Sequence, residues 1–410
     1  MTNLSTRRVV ITGMGAISPL GVGAGTLWQG LREARSGIGP LRHEDAGRLR
    51  VKIAAQVPAS FDPAANIDER TLPLLDRTSE FALHAAREAI AESGLDFSQG
   101  DLGLRTAVIV GTGVGGETTQ DEQSRRLYAD NAQRAHPLTI VRLMTNASAS
   151  QISIAWGLRG PTFAVASACA SANHAIIQAV QMIRYGLADA AISGGTEACL
   201  TYGALRAWEA MRVLADDTCR PFSANRRGLV LGEGAGIFVL ESLEHAQARG
   251  AVILAELAGS GMTADATDIV MPSAVGAAAA MTQALADAGL APQDVDYINA
   301  HGTGTAANDA TESKAIRLAF GPHADRLAVS STKSMHGHAL GASGALELVA
   351  VIGALRDGVV PPTANLDKAD PACDLDYVPN VARSMPVRAA LSNSFAFGGL
   401  NAVLALKRAP

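Results

Sequence analysis

Cysteine, aromatic residues and an excess of either charge are all scarce in this 410-residue sequence. Its four cysteines are too few for a disulfide scaffold in a chain of this length, and because they form no CxxC pair, a structural zinc site is not indicated either. The 34 basic and 39 acidic residues give a net charge of −5, which argues against nucleic acid as the main partner. With only 4% aromatic residues, small aliphatic side chains must pack the core.

The sequence also lacks a long apolar segment. Its most apolar helical stretch, near residues 345–355, is shorter than the roughly 20 residues that cross a bilayer. Residues 7–13 are typical of a strand and turn, and no apolar segment with a cleavage site precedes them, so export is not indicated. Because neither export nor a membrane span is indicated, we expect a cytoplasmic protein. The 48% hydrophobic and 18% charged residues predict an ordered chain with a large core.

Short β-branched segments alternate with alanine-rich helical segments, which is the pattern of an α/β fold. Helical spacing of apolar residues predicts helices over residues 79–93 and 170–184. The predicted strands cover residues 9–12, 106–110, 162–166, 190–193, 237–241, 297–300 and 327–330.

Two segments share one order of elements. Residues 162–186 are typical of a strand, a polar turn and an alanine-rich helix that ends in glycine, and residues 327–358 repeat that order. Each segment is followed by a glycine-containing turn and a further strand. We therefore predict two similar halves, residues 1–255 and 256–410, rather than two unrelated domains. The two polar turns would face each other across a pseudo-twofold axis, and we expect the chemistry there.

Cys169 lies in the first of these turns, between a predicted strand and a predicted helix. Most intracellular cysteines are inert buried residues, and we interpret Cys199, Cys219 and Cys373 in that way. Cys169 differs because the free N–H groups of a helix N-terminus stabilise a thiolate and can bind an oxyanion. Small neighbouring residues leave room for a substrate, so the sequence predicts a nucleophile at this position.

His301, Lys333 and His338 each follow a predicted strand of the second half. A lone histidine is more often a structural or solvated side chain than a catalyst. In α/β sheets, however, ligands bind at the loops that follow the carboxyl ends of strands. Two histidines and a lysine on such loops therefore predict a reactive site, whereas the role of the adjacent His336 stays open.

One glycine-rich motif points to a different function. GTGVGG at residues 111–116 follows a predicted strand and matches the dinucleotide-binding pattern GxGxxG. That pattern requires an acidic residue about 20 positions later, at the end of a second strand. Residues 117–136 are polar here, and Asp130 does not end a strand. We therefore interpret the glycines as allowing close backbone packing, and a dinucleotide-dependent oxidoreductase is the weaker reading.

Four motifs occur in order along the chain: SACA at residues 167–170, HGTGT at 301–305, STKSMHGH at 331–338 and NSFAFGG at 393–399. Together they make essentially the whole chain resemble the β-ketoacyl-acyl-carrier-protein synthases of the elongating type II kind. The resemblance implies the thiolase-like α/β fold, in which two duplicated halves stack as a five-layered αβαβα sandwich. The internal repeat agrees with this expectation.

Within this family, the chain looks closest to the branch that includes nodulation ketosynthases. The stretches that carry this likeness are WEAMRVL at residues 208–214, DTCRPFS at 217–223 and SMH at 334–336. The chain departs from the usual family residues without losing a catalytic group, and these departures point toward a specialised acyl chain. They are Ser171-Ala172 for Thr-Gly, His336 for Thr, Ala396 for Gly and Leu400 for Thr.

The resemblance implies a decarboxylative condensation of a malonyl thioester with an acyl primer held on the cysteine. The roles that it implies in this sequence are catalysis by Cys169, His301, Lys333 and His338, an oxyanion hole formed by the N–H groups of Cys169 and Phe397, a gate at Phe397, support of Lys333 by Glu347, pantetheine contacts from Thr303 and Thr305, and an acyl pocket lined by Val114.

The resemblance further implies an acyl carrier protein as partner, which brings phosphopantetheine and the acyl and malonyl thioesters, and neither a metal nor a cofactor held by the chain itself. It implies a homodimer, or a heterodimer with a second ketosynthase-like subunit. A thiolase would need a second catalytic cysteine in residues 394–399, which have none. A non-catalytic chain-length-factor-like subunit would usually lack the nucleophile, which is present here as Cys169. Such a subunit stays the alternative.

Overall fold

The computed structural model describes residues 7–410. Its strands are β1 (Val9–Ser18), β2 (Gly21–Val22), β3 (Ile38–Pro40), β4 (Ile53–Ala55), β5 (Thr106–Gly111), β6 (Thr162–Val165), β7 (Ala190–Glu197), β8 (Gly234–Ser242), β9 (Ala255–Ala264), β10 (Tyr297–Asn299), β11 (Ala328–Ser330), β12 (Val359–Val360), β13 (Arg383–Ser384), β14 (Ala389–Ala396) and β15 (Leu400–Arg408).

The helices of the described residues alternate with these strands. They are α1 (Ala24–Arg32), α2 (Arg77–Ser93), α3 (Glu117–Ser124), α4 (Thr139–Leu143), α5 (Ala147–Trp156), α6 (Ser171–Arg184), α7 (Tyr202–Ala210), α8 (Leu243–Ala248), α9 (Ala274–Ala288), α10 (Ala306–Phe320), α11 (Lys333–His336) and α12 (Ser343–Asp357).

Two halves of one large sheet repeat the same topology. The first half has the strand order β1-β8-β7-β5-β6, and the second has β9-β15-β14-β10-β11. In both halves, neighbours among the first three strands are antiparallel and neighbours among the last three are parallel. The halves join where β1 pairs with β9, in the register Val9↔Leu257. The duplication that the repeat predicted is therefore confirmed, and β9 is the first strand of the second half.

Helices cover both faces of each half-sheet. α2 and α5 pack on the outer face of the first half, and α9 and α10 take the matching positions outside the second half. α6 and α12 lie between the half-sheets and contact strands of both. Three hydrophobic clusters correspond to these three helical layers. The five-layered αβαβα thiolase-like sandwich is thereby confirmed.

The central helix α12 is apolar because neither face of it reaches water. In α12, the thirteen residues from Ser343 to Leu355 are all buried, including Glu347. The helix ends at Gly358, whose φ of 64° places it in the left-handed region that favours glycine. Among residues 7–410, no helix is long and apolar enough to span a membrane. The carboxyl ends of the parallel strands point toward the N-termini of α6 and α12, and the functional side chains lie at that level.

Candidate active site

Cys169 lies on a sharp elbow between β6 and α6. The preceding Ala168 has a φ of 48°, and a short 3-10 turn over Ala168–Ala170 leads directly into the helix. The hydroxyl of Ser171 fixes this elbow, since it accepts the N–H of Ser167 at 2.9 Å and donates to the carbonyl oxygen of Ala168 at 2.6 Å. The thiol is therefore buried at the N-terminus of α6, as the sequence predicts.

His338 lies before the matching elbow of the second half. Leu340 has a φ of 42°, and the 3-10 turn Leu340–Ala342 leads into α12. The imidazole Nδ1 of His338 accepts the backbone N–H of Leu340 at 3.2 Å and lies 2.8 Å from the hydroxyl of Ser343. Because a backbone N–H can only donate, the neutral ring must carry its proton on Nε2.

His301 follows β10 and is held through its own backbone. The carboxylate of Glu312, in α10, accepts the N–H of His301 at 2.8 Å and the N–H of Gly302 at 2.7 Å. Glu312 is itself buried, and the amide of Asn393 donates to it at 3.2 Å. A buried carboxylate 11 positions along the chain thus orients the loop that presents the imidazole.

Lys333 and Glu347 form an ion pair in which neither side chain is exposed to solvent. The ammonium of Lys333 also donates to the carbonyl oxygen of His301 at 2.7 Å and lies 3.4 Å from Nδ1 of that ring. Burial and, second, the positive charge of Lys333 hold the pKa of His301 and of His338 well below the ordinary histidine value. Both imidazoles are therefore neutral at pH 7.

The three reactive side chains meet in one place. The sulfur of Cys169 and a ring nitrogen of each of His301 and His338 all lie within 4.8 Å of one another. Burial raises the pKa of Cys169 to about 12, and the charge of Lys333 acts in the opposite direction. The resting nucleophile is therefore the thiol, and the helix N-terminus acts on negative charge only as that charge develops.

The arrangement favours acyl and enolate chemistry over metal binding. A thiol sulfur and two imidazole nitrogens are the ligand types that zinc prefers. The ring proton of His338, however, lies on Nε2, because Nδ1 accepts the N–H of Leu340, so Nε2 has no lone pair for a metal. Neutral imidazoles with an available N–H are instead suited to donating hydrogen bonds to a developing oxyanion.

A mostly apolar cavity of about 100 Å³ opens onto these groups. Phe397 and Trp208 both line it and stack on each other, with ring centroids 6.0 Å apart. The residues after Phe397, Gly398 and Gly399, have φ values of 84° and 68°, so this loop depends on glycine. The other lining residues are Cys169, Val213, Leu229, Val270, Pro272, His301, Thr303, Thr305, Ala307, Asn308, His338, Phe395 and Ala396.

The other side chains predicted from the sequence differ in their position relative to the cavity. Thr303 and Thr305 line the cavity, with their hydroxyl oxygens 2.9 Å apart, and Glu347 lies behind the cavity with Lys333. Val114 is 45% exposed and is not among the residues that line the cavity. The cavity at Cys169 therefore does not include it, and the acyl-pocket role of Val114 stays a prediction.

Several residues of the site have no local sequence motif. Glu312, Ser343 and Glu197 are buried polar residues that fix backbone or imidazole groups around the cavity. The sequence indicates them only indirectly: each is a carboxyl or hydroxyl side chain at a position where helical or strand periodicity predicts a core residue. GTGVGG at residues 111–116, the motif considered for dinucleotide binding, packs instead against Glu197 and Gly341.

Comparison with known proteins gives a consistent result. Residues 6–246 match the family model described as "Beta-ketoacyl synthase, N-terminal domain", and residues 254–367 match "Beta-ketoacyl synthase, C-terminal domain". The chain is 52% identical over 402 residues to Nodulation protein E of Rhizobium meliloti (strain 1021), covering 98% of this chain and 99% of the relative.

A second relative and a solved structure extend this likeness. The chain is 43% identical over 410 residues to 3-oxoacyl-[acyl-carrier-protein] synthase 2 of Coxiella burnetii, with 98% of this chain and 99% of the relative covered. The structure titled "The ishigamide ketosynthase/chain length factor" superposes with a TM-score of 0.94 at 38% identity, covering 99% of this chain and 100% of that chain.

Proposed function

The chain belongs to the β-ketoacyl synthase family of condensing enzymes, and we propose that it extends an acyl primer bound to Cys169 by decarboxylative condensation with a malonyl-acyl carrier protein. The observation that carries this proposal is the cluster of one thiol and two neutral imidazoles within 4.8 Å of one another. Residues 1–255 would supply the nucleophile, and residues 256–410 would supply His301, Lys333 and His338.

The first half-reaction is transfer of the primer. The Cys169 sulfur attacks the carbonyl carbon of the acyl thioester, the bond to the pantetheine sulfur breaks, and the thiol proton passes to that leaving sulfur. No net proton is gained or lost, which suits a thiol whose pKa burial has raised to about 12. The N–H groups of Cys169 and Phe397 would bind the tetrahedral oxyanion, each contributing about 3 kcal/mol.

The second half-reaction forms the carbon–carbon bond. The malonyl carboxylate leaves as CO2, and the electron pair remains as an enolate at the thioester. The Nε2–H of His338 and a neutral His301 would hydrogen-bond the enolate oxygen. The enolate carbon attacks the acyl group on Cys169, the carbon–sulfur bond breaks, and the cysteine sulfur takes up one proton from solvent, which the net condensation consumes.

The remaining residues of the site would support these steps. Lys333, paired with Glu347, would hold His301 and keep both imidazoles neutral. Thr303 and Thr305 would contact the pantetheine arm at the cavity mouth, and Phe397 would swing on its glycine hinge to admit the substrate.

An acyl carrier protein would dock at the mouth of this cavity. Trp208 and Val213 line the cavity, and the exposed Arg212 directly precedes Val213 in the sequence, whereas the nearby Arg206 pairs with Glu209 at 2.8 Å. A guanidinium group near the cavity suits the phosphodiester of a phosphopantetheine arm. All four cysteines are free thiols. Free thiols are the usual state of cysteine in the reducing cytosol, and this supports a cytoplasmic location.

The edge of the sheet supports a dimer. β11 at one end is covered, because the N–H of Val329 donates to the carbonyl oxygen of Asp376 at 2.8 Å. β6 at the other end pairs with β5 on one side and with no other strand of residues 7–410. Nearby Ile140, Val141 and Ile154 are exposed. A twofold axis at β6 would join two sheets into one, in a homodimer or with a second ketosynthase-like subunit.

The primer belongs, in our proposal, to a specialised acyl chain. Identity is higher to the nodulation protein, at 52%, than to 3-oxoacyl-[acyl-carrier-protein] synthase 2, at 43%. The site substitutions Ser171, Ala172, Ala396 and Leu400 change side-chain size without removing a reactive group. The alternative function is that of a non-catalytic partner subunit of the chain-length-factor type.

Intact-protein mass spectrometry separates the two functions. The chain is mixed with acyl carrier proteins that bear primers of several lengths, with Cys169→Ala as the control. We expect an added acyl mass on the wild-type chain and none on the variant. Wild-type chain that stays unmodified with every primer, alone and with a candidate partner subunit, would favour the non-catalytic alternative.

A further inference from the structure

Glu197 ends β7 and is completely buried beside the second elbow of the fold. The two elbows correspond residue for residue. Ala168 and Leu340 both have positive φ, and Cys169 and Gly341 follow them, two positions before α6 and α12 respectively. Gly341 therefore occupies, in the second half, the place that the nucleophile occupies in the first.

Four hydrogen-bond donors converge on the Glu197 carboxylate. Its Oε2 accepts the N–H of Gly113 at 2.6 Å and the N–H of Gly341 at 2.9 Å. Its Oε1 accepts the hydroxyl of Thr112 at 3.0 Å and the N–H of Val114 at 3.3 Å. One side chain thus binds two segments of backbone that are more than 200 residues apart in the sequence.

The glycines of these segments are needed for this arrangement. A Cβ added at Gly341 would lie 2.7 Å from Oε2 of Glu197, and a Cβ at Gly113 would lie at the same distance from that oxygen. A cysteine at the second elbow, like the one at the first, would therefore displace the carboxylate. The second elbow binds an internal carboxylate where the first presents a nucleophile.

Each segment carries a residue that the proposed function assigns to a different half-reaction. The N–H of Leu340, one residue before Gly341, is the donor that fixes Nδ1 of His338. Val114, on the other segment, is the residue expected to line the acyl pocket. We propose that Glu197 is a positioning residue that couples the acyl-pocket loop to the turn that sets the tautomer of His338. The reaction readouts below depend on the proposed function.

Glu197→Gln should keep the contact of residue 197 with Gly341 and weaken its contact with Val114. The amide oxygen takes the Oε2 position, because both partners there are backbone N–H groups. The amide NH2 then faces Thr112, whose hydroxyl can turn to accept it, and the N–H of Val114, which loses its acceptor. We expect decarboxylation of malonyl-acyl carrier protein to stay within about twofold of wild type, and the primer-length preference in acylation of Cys169 to shift by about tenfold.

Glu197→Ala removes both connections. We expect both half-reactions to fall by about tenfold or more. We also expect 15N NMR of labelled histidine to show a mixture of His338 tautomers instead of the single Nε2–H form. The control is Glu88→Gln, because Glu88 also accepts two backbone N–H groups, those of Ala16 and Ala24 at 2.9 Å, on the far side of β1. This control should change neither the ratio of the half-reactions nor the tautomer.

Two results would overturn the inference. One is a folded Glu197→Ala protein with unchanged decarboxylation and unchanged His338 tautomer. The other, decisive even if the alanine variant does not fold, is a Glu197→Gln protein that loses both half-reactions in equal proportion. If the wild-type chain shows neither half-reaction, the proposed function fails. In that case the tautomer of His338 in Glu197→Ala still tests whether Glu197 is a positioning residue.

Discussion

Lys333 and Glu347 neutralise each other inside the protein, so removing one charge leaves the other buried without a partner. We predict that Lys333→Met lowers the free energy of unfolding by about 3–5 kcal/mol, because an uncompensated buried carboxylate is costly. Condensation should also be lost, since the ammonium no longer holds the carbonyl oxygen of His301. Denaturant unfolding and product formation measure the two effects.

A second variant separates the stability effect from the catalytic one. Lys333→Met combined with Glu347→Gln removes both charges and should recover most of the lost stability. The condensation activity should stay low, because no cation remains beside the imidazoles. Recovery of activity together with stability would mean that Lys333 has only a structural role.

The active-site imidazoles should remain neutral well into mildly acidic solution. Burial and the nearby Lys333 charge lower the pKa of His301 and His338 far below the usual value of about 6.5. In 15N NMR spectra of histidine-labelled protein, the signals of His301 and His338 are assigned by their loss in His301→Ala and His338→Ala. In the wild-type protein both signals should keep the chemical shifts of a neutral imidazole from about pH 7.5 to 5.5. Titration of either signal near pH 6.5 would contradict this explanation.

Val114 should control primer length if its loop lines the acyl pocket. A phenylalanine fills more of such a pocket than valine, so Val114→Phe should block long primers and spare short ones. Mass spectrometry of the acyl adducts on Cys169 measures this, and Val114→Ala is the matched control that should retain long primers. An unchanged length profile in Val114→Phe would mean that the residue lies outside the pocket.

The residues predicted from sequence are those with a local motif. Cys169, His301, Lys333 and His338 each follow a predicted strand. Parallel-strand topology places the loops of His301 and Lys333 together, and the internal repeat brings the turn of Cys169 to face them. Glu197 and Glu312 could not be predicted, because their roles depend on partners brought near by folding. Glu197 contacts Gly341, which is 144 positions away, and nothing in the sequence around either residue indicates the contact.

Among the elements, β5 and α6 pack so closely that their contact sets the position of the nucleophile. A Cβ added at Gly111 would overlap the backbone carbonyl of Ser171, at the start of α6. We predict that Gly111→Ala lowers the free energy of unfolding by about 1–3 kcal/mol, the usual effect of overpacking. It should also slow acylation of Cys169, because the helix N-terminus must shift.

Gly25→Ala is the matched control for this change. Gly25 lies in the first turn of α1, and an added Cβ there has no atom within 4 Å. Alanine should leave acylation unchanged and raise helix stability slightly. Equal effects of the two substitutions on acylation would show that the β5–α6 contact does not position the thiol.

The predicted elements agree with the structure where β-branched residues or helical periodicity are strong. The predicted helix over residues 79–93 is observed as Arg77–Ser93, and that over residues 170–184 as Ser171–Arg184. β9 was not predicted because its sequence, AELAGSGMTA, has little strand propensity. Gly259 and Gly261 are there because a Cβ at either position would collide with α9, so helix packing determines these residues.

In the whole molecule, duplication explains why the site lies between the halves. Each half carries its elbow at the carboxyl end of its parallel strands, and antiparallel pairing of β1 with β9 turns the two ends toward each other. The first elbow carries Cys169, and the second follows His338. The weak internal repeat was enough to predict this arrangement, because it preserves element order even where residue identity is lost.

The open edge of β6 gives a prediction about assembly. The carbonyl oxygens of Pro161 and Val165 accept N–H groups of Val108 and Thr112 at the β5 side. Because bonding direction alternates along a strand, the N–H and carbonyl groups of Ala164 face away from β5. Ala164→Pro removes an outward donor at a position where an edge strand tolerates proline.

We predict that the wild-type chain has about twice its 42.2 kDa mass in solution and that Ala164→Pro shifts it toward the single-chain mass. Multi-angle light scattering measures the masses, and circular dichroism with thermal unfolding checks that the variant keeps its fold. A proline changes no side chain of the cavity, so loss of acylation only in the single-chain form would mean that the site requires the second copy. A folded variant that stays at twice the chain mass would show that the subunits associate elsewhere.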